Sequence, residues 1–273
     1  MSNCDNCPVA DGCTSQENCD IENNPHNRIK RVIGVMSGKG GVGKSTVSVM
    51  LARMLRSKGY RVGIMDADIT GPSVPRLMGL ENAKAMQNEL GIIPVSSMEG
   101  IDVISLNFFM DNEEQPVIWR GPLIAGAVKQ FWTDVVWGEL DYLVIDMPPG
   151  TGDVALTVMQ SMAINGMIMV STPQDMVSMI VAKAVNMVKA MNLPIIGVVE
   201  NMSYMICPNC NERISIFDDG DSDAFTERQD IKLLAKLPMS GELSTIASKG
   251  SVNDFSKGII DPFKKVVKEV EKV

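Results

Sequence analysis

Apolar positions along the chain come in short blocks separated by longer amphipathic stretches. Residues 32–36, 61–65, 101–106, 142–145, 167–170 and 195–199 are runs dominated by aliphatic side chains, the pattern of strands covered on both faces. Between them, 45–57, 123–137, 153–163 and 176–191 place apolar side chains at helical spacing. Alternation of the two predicts an α/β domain with a doubly wound, mostly parallel sheet. Ligands of such sheets bind outside the carboxyl ends of the strands.

Three segments stand apart from this alternation. Residues 1–30 are polar and short of branched apolar side chains, so the chain divides into a cysteine-rich extension over 1–30 and a domain over 31–273. Residues 204–217 fit a small hairpin within that domain. Towards the end, Phe263, Val266, Val267, Val270 and Val273 share one helical stripe, read as packing against the domain in preference to lying on a membrane surface.

Composition narrows the function. With 45% hydrophobic residues among 273, the chain has enough apolar surface for a large core. Its 33 acidic against 25 basic residues give a formal charge of -8, which offers no field for a polyanion, so nucleic acid is not expected as a partner. No apolar run approaches the ~20 residues of a membrane span. A cytoplasmic protein without stable membrane association is expected. The 21 methionines read as adaptable core or contact residues and receive no ligand role.

The first strand runs into Gly38-Lys39-Gly40-Gly41-Val42-Gly43-Lys44-Ser45-Thr46, followed by a helical stretch. Glycines permit a tight turn whose amides face phosphate, Lys44 neutralises the terminal phosphates, and Ser45 ligates Mg²⁺. This is a P-loop, and ATP with Mg²⁺ is its expected ligand. Lys39 exceeds what such a loop needs; it either faces solvent or reaches the phosphates of a second subunit. Asp66 and Asp68 follow the second strand with alternate spacing, so both point to one side. Asp68 is the candidate for positioning water and Asp66 for supporting the Mg²⁺ water shell, with turn capping as the alternative for each. Asp146 closes the run at 142–145 ahead of Met147-Pro148-Pro149-Gly150-Thr151-Gly152-Asp153, a place suited to the Mg²⁺ second shell and to a γ-phosphate-sensitive turn, with a plain turn carboxylate as the alternative. Asp153 reads as a helix cap.

The six cysteines cluster: Cys4, Cys7, Cys13 and Cys19 in the extension, and Cys207 with Cys210 in a Cys-Pro-Asn-Cys pair. Clustered thiols in a reducing compartment point to metal or redox chemistry in preference to a disulfide framework. For the pair alone, structural zinc and a dithiol stay open.

With these residues in place, the chain resembles the Mrp/ApbC family of iron–sulfur cluster carrier ATPases, of the deviant Walker P-loop class. The resemblance spans about residues 31–237. It rests on Lys39 with Lys44, the segment 66–73, Trp119-Arg120-Gly121-Pro122, the segment 137–142, the segment 146–153, and Glu200-Asn201-Met202-Ser203 before the cysteine pair. It implies a slow Mg-dependent ATPase that works as a homodimer, with Lys39 acting across the interface and Asn201 near the adenine. It further implies a [4Fe–4S] cluster bridged by Cys207 and Cys210 of both subunits and passed from donor proteins to recipient apoproteins. The spacing of Cys4, Cys7 and Cys13 resembles part of a second cluster motif in one branch of the family; Cys19 lies where that branch has no ligand. A second [4Fe–4S] cluster, zinc or an unliganded tail all remain open for these four. Trp119 and Arg120 read as interface or core supports. The acidic stretch 217–223 and Met239-Ser240-Gly241 depart from the family pattern. Two further readings are kept: an ATP-dependent electron-transfer reductase with a bridging cluster, and a membrane-associated positioning switch.

Overall fold

A computed structural model describes residues 24–110, 121–176, 179–207, 209–210, 212–215, 222–249 and 251–273. Cys4, Cys7, Cys13, Cys19, Trp119 and Arg120 lie outside the described residues, as does most of the extension over 1–30.

At the centre stands β1 (Arg28–Ser37). Four strands come next in the chain: β2 (Val62–Asp66), a separate two-stranded ribbon of β3 (Met86–Asn88) and β4 (Gly91–Ile93), and β5 (Val95–Ser96). They are followed by β6 (Asp102–Ile104), β7 (Glu139–Asp146), β8 (Gly166–Ser171), β9 (Ile195–Ile206), β10 (Arg213–Ser215) and β11 (Leu233–Pro238). The main sheet runs β10-β9-β8-β1-β7-β2-β6-β5, with β11 also on β9. All pairings are parallel except β5 on β6 and β10 on β9. Parallel strands need cover on both faces, and every residue of β2 and β8 is buried.

The helices supply that cover. They are α1 (Lys44–Ser57), α2 (Val74–Leu77), α3 (Gly121–Thr133), α4 (Asp153–Ser161), α5 (Pro173–Met176), α6 (Met179–Ala190), α7 (Ser222–Gln229), α8 (Gly241–Ser244) and α9 (Lys257–Val270). The last carries the predicted stripe. Ile259, Phe263, Val266, Val267 and Val270 are buried, and the helix packs on α1 and β11. Burying a large aliphatic or aromatic side chain contributes about 1.5–3 kcal/mol, so a stripe of them turns inward and is not offered to a membrane. Among the described residues no helix is long and apolar enough to cross a bilayer.

Helix ends differ from the periodicity where tertiary bonds intervene. The stretch expected to be helical to 137 leaves α3 at Thr133. Ile92 N–H donates to the Asp134 carbonyl, Val136 N–H to the Ile92 carbonyl, and the Asn27 side chain accepts from Trp137 and Gly138. Likewise the expected strand at 101–106 ends at Ile104, with residues 106–109 forming a 3-10 turn. The segment 153–163 is helical only to Ser161, and the expected helix over 176–191 is met by α6, with Met176 closing the preceding α5. β11 escaped the sequence reading because it is short and ends in Pro238; at an edge, a strand tolerates the missing N–H.

Candidate functional site

The turn between β1 and α1 is built on glycines where the backbone demands them. Gly41 and Gly43 sit at φ 82° and 85°, the left-handed region that costs other residues. Gly43 caps α1, and its carbonyl accepts the first helical bond from Val47 at 3.0 Å. No side chain caps the helix and no acidic residue occupies its first turn, so its leading amides are open to an anion.

Lys44, the first residue of that helix, is only 6% exposed. Its Nζ lies 2.9 Å from Asp146 Oδ2 and 3.6 Å from Asp68 Oδ2. Burial works against the ammonium, but the charges of Asp146, Asp68 and Asp66 outweigh it and raise its pKa. Asp146 ends β7, fully buried, and divides its oxygens: Oδ2 accepts from Ser45 Oγ at 2.5 Å and Oδ1 from Ser48 Oγ at 2.8 Å.

Asp66 ends β2 and is the register partner of Asp146 across the β2–β7 pair. Its Oδ1 accepts from Asp68 N at 3.2 Å, and its Oδ2 from Ser105 Oγ at 3.1 Å and Val74 N at 3.3 Å. Asp66 thus holds the turn into α2, the alternative weighed for it, and its charge also contributes to raising the Lys44 pKa. Burial first, then the charge of Asp146, push its carboxyl well above the usual carboxylate range; Lys44 and Ser105 pull the other way. Asp68 is raised mainly by burial, with Lys44 opposing, and its Oδ1 accepts from Thr70 Oγ1 at 3.2 Å.

Backbone bonds lock the three strand-end loops together. Met147 N–H donates to the Val35 carbonyl at 3.0 Å, Gly150 N–H to Ser37 at 2.8 Å, and Ala67 N–H to Asp146 at 2.9 Å. The turn at 147–152 therefore rests directly on the root of the phosphate loop. Asp153 is the first residue of α4, with Gly152 in the capping position. Lys39 is exposed, and its carbonyl accepts the Ser37 hydroxyl at 2.9 Å. Asn201 is buried and its Nδ2 donates to the Val42 carbonyl at 2.9 Å. A Cβ on Gly43 would fall 2.2 Å from that nitrogen, so loop and amide are in the closest approach that glycine allows.

Cys207 and Cys210 lie just beyond the carboxyl end of β9, Cys210 exposed, Cys207 partly so, and neither in a disulfide. Pairing of 204–206 with 213–215 and the bond from Cys207 N–H to the Glu212 carbonyl, 2.9 Å, make the predicted hairpin. Arg213 covers the Tyr204 ring at 4.5 Å. Hydrogen bonding from the Cys210 and Asn209 backbone, then from the Cys210 thiol, lowers the Cys207 pKa and favours a thiolate. Among the described residues, no group of three or more His, Cys, Asp or Glu is arranged to hold a metal ion. The pair supplies two sulfur donors and no third.

Sequence reasoning missed Ser48 and Ser105, which hold the carboxylates Asp146 and Asp66. Each is a small hydroxyl inside an apolar run, and that interruption was the available signal; Ser203, quoted only within its motif, holds Glu200.

Residues 28–271 match a family described as ParA, the NUBPL iron-transfer P-loop NTPases. The chain is similar to an iron-sulfur cluster carrier protein of Methanocaldococcus jannaschii, 43% identical with 99% of this chain and 96% of that one covered. It is also similar to a cytosolic Fe-S cluster assembly factor NUBP2 homolog of Dictyostelium discoideum, 44% identical over 85% of this chain and 89% of that one. Among solved structures, a nucleotide-binding protein from Archaeoglobus fulgidus in complex with ADP superimposes with a TM-score of 0.74 at 42% identity, covering 84% and 90% of the two chains. The cell division ATPase MinD of Pyrococcus furiosus, 20% identical with a TM-score of 0.59 over 89% and 98%, shares the fold.

Proposed function

The chain belongs to the iron-transfer P-loop NTPase family, and from that premise we propose that it is an ATP-dependent carrier of iron–sulfur clusters. It is an Mg-dependent ATPase. The observation that carries the carrier reading is the paired thiols, with Cys207 biased towards thiolate, in a chain that also has an uncapped phosphate loop ringed by Asp66, Asp68 and Asp146.

Without nucleotide, Lys44 is held by Asp146 and Asp68. Phosphate oxygens arriving on the α1 amides compete for that ammonium, drawing it off the two carboxylates. Ser45 would then hold the Mg²⁺ that accompanies ATP, a hard cation matched to oxygen donors, with Asp146 behind it through their hydrogen bond. Asp68 would position the attacking water, and Asp66 would support the water shell of the bound metal. Lys39 extends to the nucleotide of a second subunit, and Asn201 supports the loop and the adenine side of the site.

The cargo is a [4Fe–4S] cluster. A cluster of that type takes four thiolates, and two-fold symmetry doubles the pair that one chain offers, so a homodimer with Cys207 and Cys210 from each subunit completes the ligand set. Donor proteins load it and recipient apoproteins take it. The four cysteines of the extension are proposed to hold a second cluster, and the cytosol is the proposed compartment.

Anaerobic reconstitution followed by iron, acid-labile sulfide and zinc analysis tests this, on the full chain and after removal of residues 1–19. About four irons and four sulfides per dimer surviving the truncation, and lost in Cys207→Ala, are expected. Zinc alone, or no metal, would overturn the carrier reading and leave an ATPase of unknown client.

A further inference from the structure

One strand bears both chemistries. Asn201, in β9, touches the phosphate loop, and β9 leads straight into Cys207. Between them the strand is irregular. Glu200 pairs with Lys236 of β11 and Tyr204 with Pro238, so the register slips: β9 spends four residues where β11 spends two. Such a bulge re-aims side chains and bends the strand.

The bulge has its own internal structure. Met202 adopts φ 55°, a left-handed conformation that costs a non-glycine residue on the order of 1 kcal/mol and persists only when neighbours impose it. The Ser203 hydroxyl bonds back to Glu200 Oε1 across it. Glu200 is buried, and its Oε2 has no hydrogen-bond partner among the described residues. Before the bulge, β9 is clamped by β8 as far as Glu200. After it, β9 is held by the short β10 and, at Tyr204, by β11. A stiff half and a lightly held half therefore meet at 201–203, where the Asn201 amide reaches Val42.

We propose that the bulge at residues 201–203 is the joint through which the state of the phosphate loop reaches the cysteine hairpin, with Asn201 as its positioning residue. When phosphates enter and the loop adjusts, the Val42 carbonyl carries Asn201 with it. Strain at Met202 and the unpaired Glu200 Oε2 are both relieved when the joint rearranges. The outer half of β9, with Cys207 at its end, follows.

This deepens the carrier reading, on which it rests for its purpose, yet the test needs neither cluster nor hydrolysis. The full-length, metal-free, reduced protein is alkylated with N-ethylmaleimide, and modification of Cys207 and Cys210 is timed by mass spectrometry without nucleotide, with Mg·ADP, and with a non-hydrolysable Mg·ATP analogue. Wild type is expected to change rate between nucleotide states by about fivefold, the low end of ordinary coupling between sites. In Asn201→Ala, with Mg·ADP binding verified by calorimetry, that change is expected to collapse. Should Asn201→Ala fail to bind nucleotide, Met202→Gly decides, because glycine adopts this φ without strain and loosens the joint outside the phosphate site. It is expected to bind nucleotide and lose most of the rate change. No nucleotide effect in wild type, or an undiminished effect in a nucleotide-binding variant, overturns the proposal. Cluster content has no bearing on this readout, so failure of the carrier reading and failure of the joint are told apart.

Discussion

Ser48 holds Asp146 from one helical turn beyond Lys44: its hydroxyl donates to Oδ1 at 2.8 Å, while Oδ2 is left for Ser45 and Lys44. The bond fixes the carboxylate's rotation, and so decides which oxygen faces Ser45 and Lys44. Ser48→Ala is expected to lower kcat about tenfold, the worth of one hydrogen bond to a charged acceptor, and to raise the Mg²⁺ concentration needed for half-maximal rate. Ser48→Thr, which keeps the hydroxyl, is expected to restore both. ATPase rates titrated against Mg²⁺ check this; an alanine variant with the wild-type Mg²⁺ curve would remove the positioning role.

Gly43 and Gly40 look equivalent in the loop and are not. A methyl at Gly43 meets Asn201 Nδ2 at 2.2 Å and has to sit on a left-handed backbone, whereas at Gly40 nothing lies within 4 Å. Gly43→Ala is expected to cost at least about 1 kcal/mol from backbone strain alone and to abolish ADP binding. Gly40→Ala is expected to change the stability of the nucleotide-free protein by less than about 0.5 kcal/mol. Thermal melts and ADP calorimetry on the two variants separate them; equal destabilisation would refute the asymmetry.

Asp66 and Asp68 set a pH dependence. Both bind protons more tightly in the folded protein than in the unfolded chain. From the ordinary carboxylate value of about 4 upward to their raised folded values, the folded state holds more protons, so this contribution to stability falls as pH rises. Lys44, raised, contributes stability that is lost only above about pH 10. Mg·ADP relieves the crowding of negative charge, so the gain in Tm on adding it is expected to be larger at pH 8 than at pH 5.5. A gain independent of pH, measured by differential scanning fluorimetry, would count against the two carboxyls being raised.

Much of this site is legible in the sequence because its parts are local. The phosphate loop, the strand ends at Asp66 and Asp146 and the stripe of α9 each arise from short-range pattern, and the structure places them as that pattern implies. What escaped is set by distant partners. Asp134 to Trp137 keep helical periodicity yet leave α3 because Ile92 and Asn27 compete for their backbone. The expectation for Asn201 came from resemblance and concerned a base; the bond it makes is to Val42, far away in sequence and unreadable from spacing. The bulge beside it arises from a register with β11 that no local signal announces.

Cys207 carries its own pH signature. Donors from the Cys210 and Asn209 backbone and the Cys210 thiol favour its ionised form. The rate of iodoacetamide alkylation at Cys207 is expected to titrate with a midpoint below the value of an ordinary cysteine, about 8.5. A midpoint at or above that value would show that the turn does not prepare a thiolate.

Beyond the bulge, the regular stretch Tyr204–Ile206 that leads into Cys207 works as a ruler with a parity rule. Side chains alternate across a sheet, so adding or removing one residue there would swing the thiols to the opposite side. Two residues would restore the side but slide the thiols by about 6.6 Å. Length here is a specification as strict as the identity of either cysteine, and a loop graft that respected every side chain while changing the count by one would deliver a hairpin facing the other way.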